Sequence, residues 1–576
     1  MQVEEAAPTG PAEPEVETPD GGRAASTVPL FVLMAVTAFV ATVVAVLASL
    51  VRNHGHLVYV LDDPAIHMSM AKQLALHGTW GVTTGVYESA SSSPAWTLVL
   101  AVLTRVVPFA LNVLPLLLNM AAAAWLLWLF ASEQGFLARV RRNWVGVVLI
   151  LFTTVFALYI PALAMIGMEH TLHAAIVVEI LVVLHRLERR ELTVRNTWPL
   201  LALFFAGTAV RYETAFLAVG CVVAILVATA LGRERDDTPP RWNAVSSVRT
   251  SALIAIASGL PIVVYGFVNR AMGQSFLPNS IVAKSVADQH VSLAPDLVGL
   301  LQEIQHQPLI SLFLVVAFAY AVASIVGPMR PTFTMAAAYV VLVLLHAAYG
   351  QFGFYGRYEE YLIIAGLFIT LRISSELVPP RLDTAAALVM ALVMAALFTV
   401  QIGLVVDVPL ASNNTYKQRY QMARFFEKYY AGRTVATGEL GYVSLFHKGG
   451  LLDLLGLGSH QVTALLRQRN GRLTTADNAQ FVDDAHVVAI GMYPETTLFH
   501  TPRSWYFVAE WRLDEKNVSG FDKRLEFYAP NPRLGQELDR NLRAFQPELP
   551  TGVTVTYRND LLRRFLQGLA KNKAGQ

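Results

Sequence analysis

Two adjacent acidic residues, Asp62 and Asp63, follow the first long apolar segment by about ten positions. A carboxylate within hydrogen-bond reach of an acceptor hydroxyl can take its proton, so the pair could serve as a general base and its partner. Asp63 also precedes Pro64, and Asp-Pro is a good helix start with Asp as the N-cap. Capping would account for Asp63 but not for Asp62. The pair could also bind a divalent ion through its oxygens.

The segment after Asp63 predicts a short amphipathic helix. Ile66, Met70 and Leu74 share one face at helical spacing, and Gly78 is suited to end the helix. A helix with one apolar and one polar face would lie flat on the membrane surface. It would then hold the two carboxylates at the level of the lipid headgroups.

Two later segments carry further polar groups. Glu88 and Trp96 flank a serine-rich stretch and could line a sugar site, since aromatic rings suit the apolar faces of sugars. The serines could equally cap the next helix. Glu169 and His170 stand in a tight turn between apolar runs. They are either a polar hairpin tip or an acid and an imidazole that face a shared cavity.

Two cations at the ends of apolar segments could bind a phosphate. Arginine does so through two parallel hydrogen bonds, which makes Arg211 a candidate, although it could also pair locally with Glu213. Lys284 follows a Pro-Asn-Ser turn. It could hold a lipid-linked phosphate or simply extend its amine to the interface.

A third cation, Arg357, lies in a loop that is rich in aromatic and charged residues. Aromatic residues, glycines and two acids surround it, among them Tyr358 and Glu359. These are more aromatic and charged groups than a loop needs for solubility. The pattern favours a functional role for Arg357.

Composition places the chain in a membrane. It has 576 residues, 54% of them hydrophobic and 15% charged, with a mean hydropathy of +0.46. Soluble proteins carry roughly 25% charged residues. The net charge of +2 provides no basic field for nucleic acid. The single cysteine, Cys221, lies in an apolar run, which excludes a disulfide framework and a thiolate metal site.

Apolar runs predict eleven membrane spans, since a helix needs about 20 apolar residues to cross a bilayer. The predicted spans are 28–51, 109–131, 144–165, 170–185, 196–210, 213–231, 251–269, 309–328, 333–350, 360–376 and 384–406. The run 94–107 is short and ends at Pro108, which favours a re-entrant or interfacial helix. Residues 1–27 are rich in Pro, Ala, Gly and Glu and predict a disordered tail. Their acidic character is unlike a secretory signal, so the first span is expected to stay as an anchor.

Arginines predict the orientation, because cytoplasmic loops are enriched in Lys and Arg. They cluster within 139–142, 186–195 and 233–249, and all three loops fall on one side of the predicted spans. The N-terminus is then cytoplasmic, and the candidate site loops and everything after 406 are extracytoplasmic. A true crossing by 94–107 would reverse the orientation from that point. Loops with several arginines fit the plasma membrane of a bacterium.

The C-terminal region changes character, with frequent charges and strand-like runs that alternate with helical ones. The predicted elements are strands at Thr434–Thr437, Val487–Gly491, Trp505–Ala509 and Leu525–Tyr528 and a helix at Tyr416–Tyr430. The predicted fold class is therefore an α-helical polytopic membrane domain, residues 28–406, with a C-terminal soluble α/β domain, residues 410–576.

Nucleotide-binding motifs are absent from the sequence. It contains neither a P-loop nor a dinucleotide fingerprint, and no Ser-His-Asp order stands out. An energy-rich substrate must therefore arrive already activated. For a membrane enzyme with an outer active site, this points to a lipid-linked donor.

The order of these motifs resembles the GT-C superfamily of integral-membrane glycosyltransferases. That superfamily includes protein mannosyltransferases, aminoarabinose transferases and the arabinofuranosyltransferases of mycobacteria. The resemblance covers residues 28–406 and rests on five motifs: Asp62-Asp63 with the helix after them, the Ser-Ser-Ser-Pro-Ala-Trp stretch that ends at Trp96, Gly-Met-Glu at 167–169, Arg-Tyr-Glu at 211–213, and the Leu-Pro-Asn-Ser…Ala-Lys loop that ends at Lys284. The segment 438–457 is similar to an outer domain of some bacterial members.

The resemblance implies a polyprenyl-phosphate sugar donor and an acidic base in the first outer loop. Asp62 or Asp63 would deprotonate the acceptor hydroxyl, which attacks the anomeric carbon with inversion while the lipid phosphate leaves. Protein mannosyltransferases carry Asp-Glu where this chain has Asp-Asp, so the choice of base stays open. The residues expected to stabilise the phosphate are Arg211, Lys284 and Arg357. The residues expected to contact substrate are Glu88, Trp96, Glu169, His170, Tyr358 and Glu359.

Other functions compete with this one. A flippase or transporter for lipid-linked sugars would place ionisable residues near the bilayer midplane, whereas the polar clusters here lie mainly at span ends. An inactive scaffold that presents the outer domain is a second alternative. A divalent metal is possible but not favoured, since no fixed ligand spacing is visible. The acceptor, most simply a cell-envelope glycan, could also be a protein or a lipid.

Overall fold

The computed structural model describes residues 19–188, 190–231, 242–287, 302, 304–328, 330–494, 501–519 and 522–558. A helical part comes first and a mixed-sheet domain follows, so the predicted fold class is confirmed. The helices before the sheet are α1 Pro19–Arg52, α2 Asp63–His77, α3 Pro94–Val106, α4 Leu114–Glu133, α5 Gly135–Val140, α6 Trp144–Phe152, α7 Ile160–Ile166, α8 His170–Leu187, α9 Val194–Val210, α10 Thr214–Leu231, α11 Ala244–Ala271, α12 Asn279–Ala287, α13 Pro308–Val326, α14 Phe333–Tyr349, α15 Glu360–Leu377, α16 Asp383–Leu397, α17 Thr399–Val406 and α18 Val408–Thr415.

Eight helical segments of the described residues are long and apolar enough to cross a membrane. They are Thr27–Arg52, Leu114–Glu133, Trp144–Ile166, His170–Leu187, Thr214–Leu231, Ala244–Ala271, Pro308–Val326 and Pro380–Leu397. Three predicted spans, 196–210, 333–350 and 360–376, coincide with α9, α14 and α15, which fall outside this set. A helix satisfies its own backbone hydrogen bonds, which is why apolar runs in lipid fold this way.

Two of the predicted spans are interrupted. A π-helical turn at Thr153–Ala157 separates α6 from α7, and Phe398 separates α16 from α17. The predicted half-span is a helix of 13 residues, α3, about 20 Å long and too short for a hydrocarbon core of about 30 Å. Helix α1 begins at Pro19, inside the tail predicted to be disordered. Residues 1–18 of that tail lie outside the described residues.

Helix α2 has the predicted bounds but not the predicted surroundings. It ends at Gly78, whose φ of 67° is the left-handed conformation that favours glycine at a helix end. Every residue from Pro64 to Ala71 is buried. The helix packs against α3 and against the C-terminal domain, with Ser69 Oγ donating to the Ser444 carbonyl at 3.0 Å. The prediction of a helix lying flat on the membrane was wrong, because the C-terminal domain covers it.

The C-terminal domain is built on six strands, β1 Val435–Thr437, β2 Leu451–Asp453, β3 Ala489–Met492, β4 Tyr506–Leu513, β5 Arg524–Ala529 and β6 Val553–Tyr557. Their order is β2-β1-β3-β5-β4-β6, parallel across β2, β1 and β3 and antiparallel beyond. The four predicted strands correspond to β1, β3, β4 and β5, whereas β2 and β6 were missed. Its helices are α19 Gln421–Tyr429, α20 Leu440–Phe446, α21 His460–Gln468, α22 Thr475–Asp484 and α23 Pro532–Phe545. Helix α19 continues a π-helical turn at Tyr416–Tyr420, which matches the predicted helix.

A close helix contact provides a test of the packing. A Cβ on Gly220 of α10 would overlap the carbonyl oxygen of Ala338 in α14 and lie 3.2 Å from its carbonyl carbon. Small residues allow membrane helices to approach this closely. We therefore expect Gly220→Ala to destabilise the detergent-solubilised protein by about 1–3 kcal/mol, measured by thermal unfolding.

Gly259→Ala is the matched control. It also lies inside a long helix, but no described atom lies within 4 Å of its added Cβ. This variant should unfold at the wild-type temperature or slightly above it, because Ala favours helix over Gly. Equal effects of the two substitutions would contradict the close packing of α10 on α14.

Candidate active site

The carboxylate of Asp62 joins the membrane helices to the C-terminal domain. One oxygen accepts the N–H of Gly441 at 2.5 Å and the other accepts the N–H of Tyr442 at 3.0 Å. A Cβ on Gly441 would lie 2.7 Å from this carboxylate, so glycine is needed for the approach. Burial raises the pKa of Asp62, while the Arg419 charge and the two N–H groups act to lower it. The N-cap residue of α2 is Asp62, whose side chain makes no capping bond, and Asp63 is the first residue of the helix, so the interpretation of Asp63 as the cap was wrong.

Asp63 contacts a different partner, on the membrane side. Its carboxylate forms an ion pair with Nη1 of Arg357 and is 23% exposed, whereas the Arg357 side chain is 3% exposed. The same guanidinium lies 3.1 Å from Met168 Sδ and donates to the Tyr358 hydroxyl at 3.1 Å. The start of α2 and the loop before α15 therefore meet through Asp63 and Arg357.

Two guanidinium groups lie near the ring of Tyr358. Arg357 is 4.9 Å and Arg211 5.8 Å from the ring centroid. Arg211 also donates to Glu169 at 2.9 Å and pairs with Glu213. Two carboxylates already balance the charge of Arg211, which favours a role in holding Glu169 over direct binding of a phosphate. The local pairing with Glu213 considered from the sequence is present.

A histidine that sequence reasoning overlooked completes this group. His67 Nε2 lies 4.0 Å from the buried Glu169 carboxylate, and His67 Nδ1 is 3.0 Å from the Thr97 hydroxyl. His67 is four residues after Asp63 on α2, and residues at this spacing share a helix face. That spacing was the available signal. Asp63, Arg357, Tyr358, Arg211, Glu169 and His67 thus form one connected cluster.

The loop that carries Arg357 and Tyr358 is conformationally strained. Phe354 and Tyr355 have φ angles of 50° and 65°, which side chains other than glycine rarely adopt. Glu359 fixes this loop by accepting the N–H of Gly353 at 2.8 Å. Burial raises the pKa of Glu359 to about 7, against the lowering effect of that N–H. Strain of this kind clusters at functional sites. Glu359, predicted to contact substrate, here positions the loop.

Two predicted substrate contacts lie in packed surroundings instead. Trp96 is 2% exposed and packs against Ala71, Leu100 and Leu114. Its ring offers no open face to a sugar, so its placement indicates a core residue. His170 is also fully buried, with Nδ1 3.2 Å from the Glu360 carboxylate.

Glu88 and Lys284 complete the predicted set. Glu88 is buried and accepts the N–H of Val82 at 3.1 Å, so it closes its own loop beside the C-terminal domain. Lys284 falls in α12, but its side chain lies outside the described part of the chain, and its role stays a prediction. Within the described residues, no group of three or more His, Cys, Asp or Glu side chains is arranged to hold a metal ion.

Comparisons with known proteins found a family model that matches the C-terminal domain and several similar solved structures. A family model described as "Domain of unknown function (DUF8728)" matches residues 411–528. No curated protein matches the chain by sequence. ArnT from Cupriavidus metallidurans bound to undecaprenyl phosphate is similar in structure, with 14% identity and a TM-score of 0.47 over 87% of this chain and 98% of that chain. Its apo state has 13% identity and a TM-score of 0.48, over 89% and 99%.

An archaeal protein shows a further likeness. The oligosaccharyltransferase AglB from Archaeoglobus fulgidus, in complex with an inhibitory peptide and a dolichol-phosphate, has 11% identity and a TM-score of 0.42, over 82% of this chain and 73% of that chain. At these identities the likeness concerns the fold alone.

The buried carboxyl of Glu88 predicts a pH dependence of stability. Burial raises its pKa from 4.5 to about 8, so the folded protein holds this proton more tightly than the unfolded chain does. The stability that Glu88 contributes is fully present below its unfolded pKa and is lost as the pH rises through about 8. Glu88→Gln keeps an oxygen for the Val82 N–H and does not ionise. Its thermal midpoint should therefore rise relative to wild type between about pH 5 and about pH 9.

Asp484→Asn is the control, because Asp484 is an exposed carboxylate of the C-terminal domain. Its midpoint should differ from wild type by the same amount at both pH values. A constant difference between Glu88→Gln and wild type across this range would show that Glu88 ionises normally in the folded protein.

Proposed function

We propose that the chain is a membrane glycosyltransferase that moves a sugar from a polyprenyl-phosphate donor to an acceptor hydroxyl. The supporting observation is the ion pair between Asp63 and Arg357 at the boundary of the membrane helices and the C-terminal domain. A carboxylate is suited to proton removal and a guanidinium to binding a phosphate, and the two are in contact here. The motif resemblance suggests the reaction type, and the ion pair supports it because this reaction needs a base and a cation.

Asp63 is the proposed base. Both oxygens of Asp62 already accept backbone N–H groups, and its carboxylate is deeply buried. The Asp63 side chain is partly exposed, and it pairs with Arg357. Asp63 takes the proton of the acceptor hydroxyl as that oxygen bonds to the anomeric carbon. The bond between that carbon and the phosphate oxygen breaks, and the lipid phosphate leaves with the electron pair. A single displacement inverts the anomeric centre.

Arg357 is the proposed group that stabilises the leaving phosphate, with Lys284 as a second cation on sequence grounds. A guanidinium held rigidly before the reaction stabilises developing charge without reorganisation. The Arg357 fork is fixed by Asp63, Tyr358 and Met168. Arg211, Glu169 and His67 are proposed to support this arrangement from one side and to line the sugar site.

The proposed location of the reaction is the outer face of a bacterial plasma membrane. Glu169 precedes α8 and Arg186 lies in its last turn, and a helix of 18 residues separates them by about 27 Å. At that far end, Arg186 and Arg372 both contact Glu133. Cationic helix ends favour the cytoplasm, which leaves the site outside. A cell-envelope glycan is the proposed acceptor, and a protein or lipid acceptor remains an outcome of the test.

The test measures cleavage of the donor. Purified protein in lipid vesicles is given farnesyl-phosphate-linked pentoses and hexoses, and released farnesyl phosphate is counted. We expect Asp63→Asn to lower transfer by about 10²–10⁴-fold, since that is the usual contribution of a general base. Its thermal midpoint should also fall, because the buried Arg357 loses its ion-pair partner, so transfer is compared at a temperature where the variant is folded. Asp62→Asn should lower the midpoint as well, because one acceptor oxygen for the α20 N–H groups is lost.

Asp407→Asn serves as the control for a lost carboxylate. Asp407 lies near the same junction but pairs with the exposed Lys516 at 3.4 Å. It should retain wild-type transfer. Full activity of Asp63→Asn would reject Asp63 as the base. Movement of intact donor across the vesicle without cleavage would indicate a flippase, and neither cleavage nor movement would indicate a scaffold.

A further inference from the structure

The C-terminal domain places a buried carboxyl group beside the proposed site. Glu439 lies between β1 and α20, and its N–H donates to the Thr437 hydroxyl at 2.9 Å, which fixes the turn. Its residue is 6% exposed. One carboxylate oxygen, Oε2, accepts from Arg419 Nε at 2.7 Å. The other, Oε1, is buried and has no hydrogen-bond partner among the described residues.

Arg419 holds Glu439 in one orientation. Its Nη1 donates to the Ser519 carbonyl at 3.2 Å, and its guanidinium lies 5.3 Å from the centroid of the Tyr493 ring. Arg419 is itself buried, at 3% exposure. A guanidinium with its geometry fixed on two sides leaves Glu439 little freedom to turn Oε1 toward another partner. The contacts of Arg419 therefore fix the orientation of Oε1.

Glu439 also lies close to the two aspartates. Two residues later in the chain, Gly441 donates its N–H to Asp62, which is adjacent to Asp63. Burial raises the pKa of Glu439 to about 7, Arg419 acts to lower it, and the charges of Asp62 and Asp63 raise it further. The carboxyl groups of Asp62, Asp63 and Glu439 therefore lie close enough to interact electrostatically, although they come from two domains.

A buried polar atom without a hydrogen-bond partner lowers the free energy of unfolding by about 1–3 kcal/mol. Such atoms are retained mainly where they have a functional role. A carboxylate oxygen accepts hydrogen bonds from hydroxyl groups. A carbohydrate has hydroxyl groups on adjacent carbons, so one hydroxyl can donate a hydrogen bond to Asp63 while its neighbour donates one to Glu439. This reading rests on the proposed function. We infer that Oε1 of Glu439 binds a second hydroxyl of a carbohydrate acceptor, so that the C-terminal domain forms part of the acceptor site.

Glu439→Gln tests the inference with little change of shape. Its amide oxygen can still accept from Arg419, and its amide nitrogen then replaces the acceptor oxygen with a donor. The probes are octyl glycosides as acceptors and farnesyl-phosphate-linked sugars as donors. We expect the acceptor KM to rise by about 10-fold or more, the loss of a hydrogen bond to a charged group. The donor KM should stay unchanged.

Deoxy acceptors identify the hydroxyl. An octyl glycoside that lacks the hydroxyl bound by Glu439 should show the raised KM with the wild-type protein and no further rise with Glu439→Gln. Glu427→Gln is the matched control, since Glu427 is a partly exposed carboxylate of the same domain. It should leave both KM values unchanged.

The outcomes separate the two proposals. Donor cleavage by wild type with an unchanged acceptor KM in Glu439→Gln would overturn the role of Glu439 and leave the proposed function standing. A joint fall of transfer and thermal midpoint would show that Glu439 only supports the fold, which also overturns the inference. Absence of donor cleavage by wild type with every pentose and hexose tested would overturn the proposed function itself.

Discussion

Charge buried at the boundary between the membrane helices and the C-terminal domain has to be neutralised within the protein, and this constraint organises the site. A buried ion without a partner is far more costly than an unpaired neutral group. Several acids at this boundary therefore pair with arginines. The pairs are Asp63 with Arg357, Glu169 and Glu213 with Arg211, and Glu439 with Arg419. Each acid comes from a different segment than the cation it meets, except for Glu213. The ion pairs therefore fix the segments relative to one another.

The two adjacent aspartates have different partners and therefore different structural roles. Asp62 satisfies the backbone of α20, and Asp63 contacts a cation of the membrane part. Adjacent residues at a helix start point in different directions, so one carboxylate holds the domain while its neighbour stays partly exposed. The strained loop before α15 serves the same end, since Glu359 holds it in a conformation that presents Arg357 and Tyr358.

Much of the fold could be predicted because its signals are local. Apolar runs located the long helices, and alternating runs located β1, β3, β4 and β5. Strands β2 and β6 were missed. The surroundings of α2 were mispredicted because its cover, around Ser444, comes from a distant part of the chain. For the site, residue types at span ends drew attention to Asp63 and Arg357, which the structure brings into contact. The burial of Trp96 and Glu88 could not be predicted, since packing is set by tertiary contacts.

The bond between Asp62 and Gly441 spans 379 positions of sequence. A chain emerges from the ribosome in order, so α2 is made long before its donors in α20 exist. Until then Asp62 has neither of its backbone donors, and the cover that Ser444 provides to α2 is not in place. Completion of the first part of the fold is therefore tied to synthesis of the last domain, and a prematurely terminated chain leaves the Asp62 carboxylate without these partners.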